Sequence, residues 1–217
     1  MVPSAELPDE ASGAAAAATP APRGRVRLRR AALMAIPACV AGGVLMALTA
    51  QGVLAAQFQI SGMAFTVTAT SLDGNGFEQF GGLDTMLKGN PAGAKNGGQQ
   101  VVAVSVIQDG KLTNLCQSVN LGGTNLKITA GDNGTPVSAE HLTTDSDTMS
   151  GDANFTNIEV GGDASTFNDA GVKGPMYSFG QQATHVTINN LRQHNYATTA
   201  GSFTLPNLHL SFSSQGC

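Results

Sequence analysis

Few side chains in this sequence are placed to do chemistry. A serine hydrolase of the common type carries Gly-x-Ser-x-Gly on a strand-to-helix turn. The nearest fragment is Met176-Tyr177-Ser178-Phe179-Gly180, with Met176 where the first glycine should stand. Ser178 therefore reads as a strand-end serine. Four histidines could act as bases: His141, His185, His194 and His209. His185 alternates with Thr187 and Asn189, on the phase opposite Val186 and Ile188, and His209 sits likewise, so both read as solvent-facing strand residues. A catalytic triad is defined by geometry rather than spacing, so no catalytic residue is assigned.

Metal sites are no better supported. Asp145-Ser146-Asp147 with Asp152 has the look of a calcium loop. The EF-hand needs a third ligand at its fifth position, glycine at the sixth and a carboxylate at the twelfth. Those positions hold Met149, Ser150 and Thr156, and the stretch reads as an acidic turn. No zinc spacing of Cys and His occurs. Gly131-Asp132-Asn133-Gly134 and Gly161-Gly162-Asp163 read as turns, since no strand–glycine loop–helix context makes them phosphate loops. Neither a cofactor nor a metal is expected.

The three cysteines divide by position. Cys39 lies in an apolar run, and Cys116 and Cys217 lie beyond it. An even pair in an oxidising compartment is most simply one disulfide. It would close a loop on the order of 100 residues, worth about 4.7 kcal/mol in chain-entropy models. Two free thiols are the alternative.

That compartment is suggested by the N-terminus. Residues 1–22, rich in Ala, Pro and Ser, read as a disordered leader. Residues 23–56 carry five arginines up to Arg30 and then the apolar run AALMAIPACVAGGVLMALTAQGVLAA. A basic segment, an apolar segment and small residues near Ala55 form a signal-peptide pattern. The run is also long enough to span a bilayer, which takes about 20 apolar residues, so a membrane-anchor helix stands beside cleavage. Arg29-Arg30 only faintly resembles a twin-arginine signal. Ile36-Pro37-Ala38-Cys39 is rejected as a lipoprotein box because of its proline and the apolar run beyond it. The expectation is secretion, or an extracytoplasmic domain held on the membrane.

From residue 57 to 217 the text is that of a single all-β domain. Six basic residues stand against twelve acidic ones, with no clustered Lys and Arg to displace counterions, which excludes a nucleic-acid surface. Period-two alternation recurs. Phe58 and Ile60 share one phase, and Met63, Phe65, Val67 and Ala69 the other, so a bulge is expected at Ser61-Gly62. Residues 101–107, VVAVSVI, read as a central strand apolar on both faces. Asp109-Gly110 reads as a hairpin turn before Lys111–Leu121, Gly122-Gly123 as the next turn, and Leu126, Ile128 and Ala130 as the next strand. Asn133-Gly134 punctuates again. Further strands are expected at 137–143, 153–160, 184–191, 202–205 and 207–213. Leu83–Lys88 could form a short helix, and 73–98 reads as a long glycine-rich loop. The architecture expected is an antiparallel sandwich or a curled, barrel-like sheet.

At GMAFTVTATSLDGNGFEQFGG (62–82), NLCQSV (114–119), FTNIEVGGDAS (155–165) and FGQQATHVTINNLRQHNYATTAGSFTLPNL (179–208), the chain resembles a family of secreted actinobacterial proteins. Its members are often classed as a domain of unknown function. Some carry the name cholesterol esterase, an actinomycete type unrelated to the usual lipases. The resemblance covers the chain from the Arg-rich stretch onward. It implies hydrolysis of sterol or fatty-acyl esters if the protein is an enzyme, and it carries no catalytic motif onto these residues.

The apolar strands give a parallel expectation. If both faces of 101–107 must be covered, one face needs a further layer, an apolar ligand or a membrane partner. The domain is thus expected to line or enclose a site for an apolar lipid or sterol-like ligand. The alternatives are a dry core, and a non-catalytic lipid-binding or structural cell-envelope protein docking on a membrane or membrane-protein partner.

Overall fold

A computed structural model describes residues 59–92 and 98–217. The leader at 1–22 and the signal or anchor at 23–56 lie outside these residues. Nine strands follow one another: β1 (Phe65–Thr85), β2 (Gln99–Thr113), β3 (Leu115–Asn120), β4 (Asn125–Ala130), β5 (Val137–Thr156), β6 (Glu159–Asp163), β7 (Phe179–Thr199), β8 (Ser202–Thr204) and β9 (His209–Ser213). The named strands all pair antiparallel. The expected all-β antiparallel fold is therefore present.

The sheet closes on itself. β1 pairs with β2 along one edge and with β7 along the other; β2 pairs with β5, and β5 with β7. The circuit β1–β2–β5–β7 returns to β1, and a closed circuit leaves its strands no free edge there. β6 adds to β7 and β8 to β5. β3, β4 and β9 continue from β1 as a three-stranded flap.

The strands are longer than the turn signals suggested. Asp109 and Gly110 do not turn the chain; they lie mid-strand, opposite Asn75 and Gly74. Here glycine serves close packing: a Cβ on Gly74 would sit 2.8 Å from Ile107 Cγ2. The expected loop at 73–98 is strand as far as Thr85, and Leu83–Lys88 forms no helix. One register joins β2 and β3 to β1, from Leu83 opposite Val101 to Thr66 opposite Ser118. The break between β2 and β3 is Asn114 alone, with φ of 53°.

Two other readings also change. Ser61-Gly62 makes no bulge, because the strand begins at Phe65; Gly62, at φ 72°, turns the chain after Ile60 bridges to Met86. Asp145-Ser146-Asp147 lies inside β5, where register shifts against β7 absorb the irregularity. Likewise Gly161-Gly162-Asp163 belongs to β6, and Asp163 caps the short 3-10 turn Ala164–Thr166. The turns at Gly122-Gly123 and Asn133-Gly134 are where the sequence put them, and Asn120 Oδ1 accepts from both Gly122 and Gly123 N–H.

The core fills the closed circuit. Leu72, Phe77, Ile107, Leu112, Leu142, Val186, Ile188 and Leu191 belong to its main cluster. Residues 102–107 are covered largely by the chain itself, whereas Val101 at the strand's start is 71% exposed. Ser105 and Ile107 face the interior. On the other face Val104 and Val106 pack with Phe80 under Ala164, Phe167 and Ala170. Over Val104 and Val106 the covering layer is residues 164–172.

Candidate functional site

Two openings adjoin the core, at different ends of the long strands. The first is the flap. The interior phase of the circuit runs directly into it: Val67 is opposite Gln117, Gln117 opposite Ile128, and Ile128 opposite Leu210. A parallel row joins Val119, Leu126 and Phe212. Directly opposed residues share a face, so the core-facing surface continues as an apolar face. On it Leu208 and Leu210 are 56% exposed and Phe212 68%. The opposite face carries Ser118, Lys127 and Ser211. There the C-terminal residues fold back, and Cys217 bonds to Cys116 through a disulfide. Cys217 N–H donates to Ser118 Oγ at 2.9 Å, and Arg192 Nη1 donates to the Cys217 carbonyl oxygen at 3.0 Å. The expected cysteine pair is formed, and it holds the flap from the polar side.

Between flap and core the interior is nearly full. The cavity among Val67, Leu115, Gln117, Leu191 and Phe203 measures about 30 Å³. That admits a water molecule; a small-molecule site needs about 300 Å³ or more. This cavity is too small to enclose a lipid.

The second opening lies where β5 leaves β2. Their pairing ends at Ala103 opposite Ser146, while β5 follows β7 as far as Thr156. The gap is a cleft of about 360 Å³ with Phe77, Met149, Phe155 and Ile188 among its apolar lining. Gln79 and Gln181 form its polar side. Gln181 Nε2 donates to Gln79 Oε1, and Gln79 Nε2 donates to Ser105 Oγ, each at 2.8 Å. Asp147 lines the cleft as well. His194 Nδ1 lies 2.8 Å from Asp147 Oδ1, and Tyr196 Oη donates to Oδ2 at 3.3 Å. Burial, then the Asp147 charge, raises the Tyr196 pKa.

The histidines do not assemble a triad. His185 has Asn75 Oδ1 3.0 Å from Nδ1, while both Thr187 Oγ1 and Asp73 Oδ2 approach Nε2, at 3.3 and 3.5 Å. Hydroxyl and carboxylate thus share one nitrogen, where a triad puts them on opposite ones. The hydroxyls beside the cleft point elsewhere: Ser146 Oγ towards the Ala103 carbonyl and Ser150 Oγ towards the Arg192 carbonyl. His141 and His209 are exposed. Ser178 precedes β7, with no helix after it. Sequence reasoning missed the His194–Asp147 pair, because 47 residues separate its members and only the β5–β7 pairing joins them.

Three buried or half-buried carboxyls sit on the outer side of the circuit. Glu78 is fully buried; its Oε1 accepts from Ala170 N–H at 2.7 Å and Oε2 has no partner among the described residues. Burial raises its pKa against the pull of that N–H. Burial also raises Asp84, and it pushes Asp145 up to about 7 with help from the Asp84 charge. Among the described residues no three metal-ligating side chains cluster, and no helix is long and apolar enough to cross a membrane.

The chain belongs to a family of unknown function, DUF6230, whose model matches residues 61–217. No curated protein matches it, and no solved structure does.

Proposed function

We propose that the protein is exported and handles apolar, lipid-like ligands on the bare face of the flap. The observation that carries this is the continuity of phase from Val67 through Gln117 and Ile128 to the exposed Leu210. A face that begins as core and ends in solvent is an apolar patch of the kind that marks a binding surface. The disulfide supports an oxidising compartment, hence the extracytoplasmic location. The decisive test is lipid extraction of the protein purified from its own host, beside binding of a fluorescent acyl probe. The wild type should bind saturably and the double variant Leu210→Ser, Phe212→Ser should bind at least tenfold more weakly. Equal binding by both would place the ligand elsewhere or nowhere.

A second reading follows from the resemblance to secreted actinobacterial proteins named cholesterol esterase. It is ester hydrolysis at the rim of the cleft, with His194 as base oriented by Asp147, which lines it. His194 itself stands outside the lining and shares a face with Thr148 across β5 and β7. A hydroxyl among Ser146, Thr148 and Ser150, which line that cleft, would have to rotate to reach it. Turnover of a cholesteryl ester lost in His194→Ala would establish this; no turnover by the wild type would leave a non-catalytic binder or envelope protein.

A further inference from the structure

We propose that two copies of this chain pair through the outer edge of β9, joining their flaps into one six-stranded sheet. β9 is the last strand in the sheet order. Among the described residues, no backbone hydrogen bond reaches His209–Ser213 except from β4. Exposed edges are normally blunted by shortness, lysine, proline, a bulge or inward charge; β9, five residues long, has the first of these and none of the others. His209-Leu210-Ser211-Phe212-Ser213 contains no proline, lysine, arginine or carboxylate, and its pairing with β4 is free of register shifts.

The strand is also complementary to itself. An antiparallel partner related by a two-fold axis at Ser211 sets Leu210 opposite Phe212 of the second copy, and His209 opposite Ser213. Directly opposed residues share a face, so Leu210 and Phe212 meet on the apolar side. The row Gln117–Ile128–Leu210 then continues into Phe212, Leu126 and Val119 of the second copy. Such an isologous contact closes at two subunits. Charge favours this approach over others. Twelve acidic residues against six basic ones from residue 57 on make most encounters repulsive, whereas β9 brings no formal charge to the contact. The pairing extends the bare face without covering it, and it does not depend on what that face binds.

The test uses the full chain in sedimentation velocity. Ser211 lies on the proposed axis, so Ser211→Lys places two lysines against each other, with Lys127 beside each. Ser211→Asp provides the complement. The wild type should sediment as a dimer at micromolar concentration. Ser211→Lys should weaken association at least tenfold while leaving its circular dichroism and thermal midpoint near wild type. Mixing Ser211→Lys with Ser211→Asp should restore a dimer containing one of each. A wild type that stays monomeric at about 100 μM, a Ser211→Lys dimer as tight as wild type, or a mixture that stays monomeric would each overturn the proposal.

Discussion

The closed circuit and the flap are built from the same alternating text, yet they meet solvent in opposite ways. In the circuit, each long strand has a partner on both edges over part of its length, and residues 164–172 cover its outer side at Val104 and Val106. In the flap one edge ends at β9, and one face leaves Leu208, Leu210 and Phe212 in water. Apolar burial sustains the first. The second is held by pairing to β1 at Thr66, Val67 and Thr68, by burial of Leu115 and Ala130 at its base, and by the Cys116–Cys217 bond. Low local stability and bare apolar surface together are common in binding elements, and stable core is the scaffold that carries them.

The sharpest way to break this contrast is one substitution made in both regions. Phe77 is 2% exposed and packs against Phe155 with ring centroids 5.3 Å apart. Phe77→Ala should cost about 3–5 kcal/mol in a denaturant titration. Phe212→Ala should change stability by about 0.5 kcal/mol or less, while weakening the acyl probe. Similar stability losses at both sites would mean that the flap face is covered in solution.

The disulfide comes next. Its two cysteines are 101 residues apart, and removing a native bond of this sort costs about 2–5 kcal/mol. Cys116→Ala with Cys217→Ala should lower the midpoint accordingly. Hydrogen exchange should then accelerate first at Leu126, Ile128 and Leu210, ahead of Val186 and Ile188. Uniform acceleration would show that flap and circuit unfold as one unit.

Much of this was legible from sequence where local pattern decides the outcome. The alternation of Val186 and Ile188 against His185 and Thr187, the Gly122-Gly123 turn, the β9 phase and the cysteine pair all follow from residue type and order. Strand length was not legible. Gly74 and Gly110 look like turn residues but face each other across two strands because Ile107 needs the space. Nor could the text show that the cover over Val104 and Val106 comes from Ala164, Phe167 and Ala170, about 60 residues away. Leu210 and Phe212 alternate with His209, Ser211 and Ser213, a pattern that marks one face of a strand. That the face is bare depends on which strands come last in the sheet, and this is set by long-range pairing.

Protonation offers a third separation of the two regions. Raised carboxyl pKa values belong to the circuit, at Glu78, Asp84 and Asp145, whereas β3, β4 and β9 hold only Lys127 and His209 as ionisable side chains, Cys116 being tied in the disulfide. Asp145 titrates near 7 when folded against 3.8 ordinarily, so the folded state binds the extra proton between those values. Its contribution is fully present below about pH 3.8 and is lost as pH rises through 7. The thermal midpoint should therefore be higher at pH 5 than at pH 8. Asp145→Asn should raise stability at pH 8 by about 1–2 kcal/mol after allowance for its partial exposure, and flatten that slope. An unchanged slope in the variant would assign the pH dependence to Glu78 or Asp84.

The smallest effect lies at the junction itself. Asn114 separates β2 from β3 without changing their register on β1, and it does so in the left-handed region at φ 53°. Its side-chain amide donates to Thr70 Oγ1 at 3.0 Å, and its N–H donates to the Gly131 carbonyl at 3.0 Å. Asparagine tolerates this conformation better than residues lacking a short polar side chain. Asn114→Ala keeps the backbone bond, loses the bond to Thr70 and adds left-handed strain, together about 1 kcal/mol. Asn114→Gly relieves the strain and loses only an exposed side-chain bond, about 0.5 kcal/mol. If Asn114 is the hinge on which flap and circuit are joined, the alanine variant should speed hydrogen exchange at Cys116 and Ser118 more than at Leu112, with the glycine variant between it and wild type. Equal acceleration on both sides of residue 114 would make the kink a local irregularity in one continuous strand.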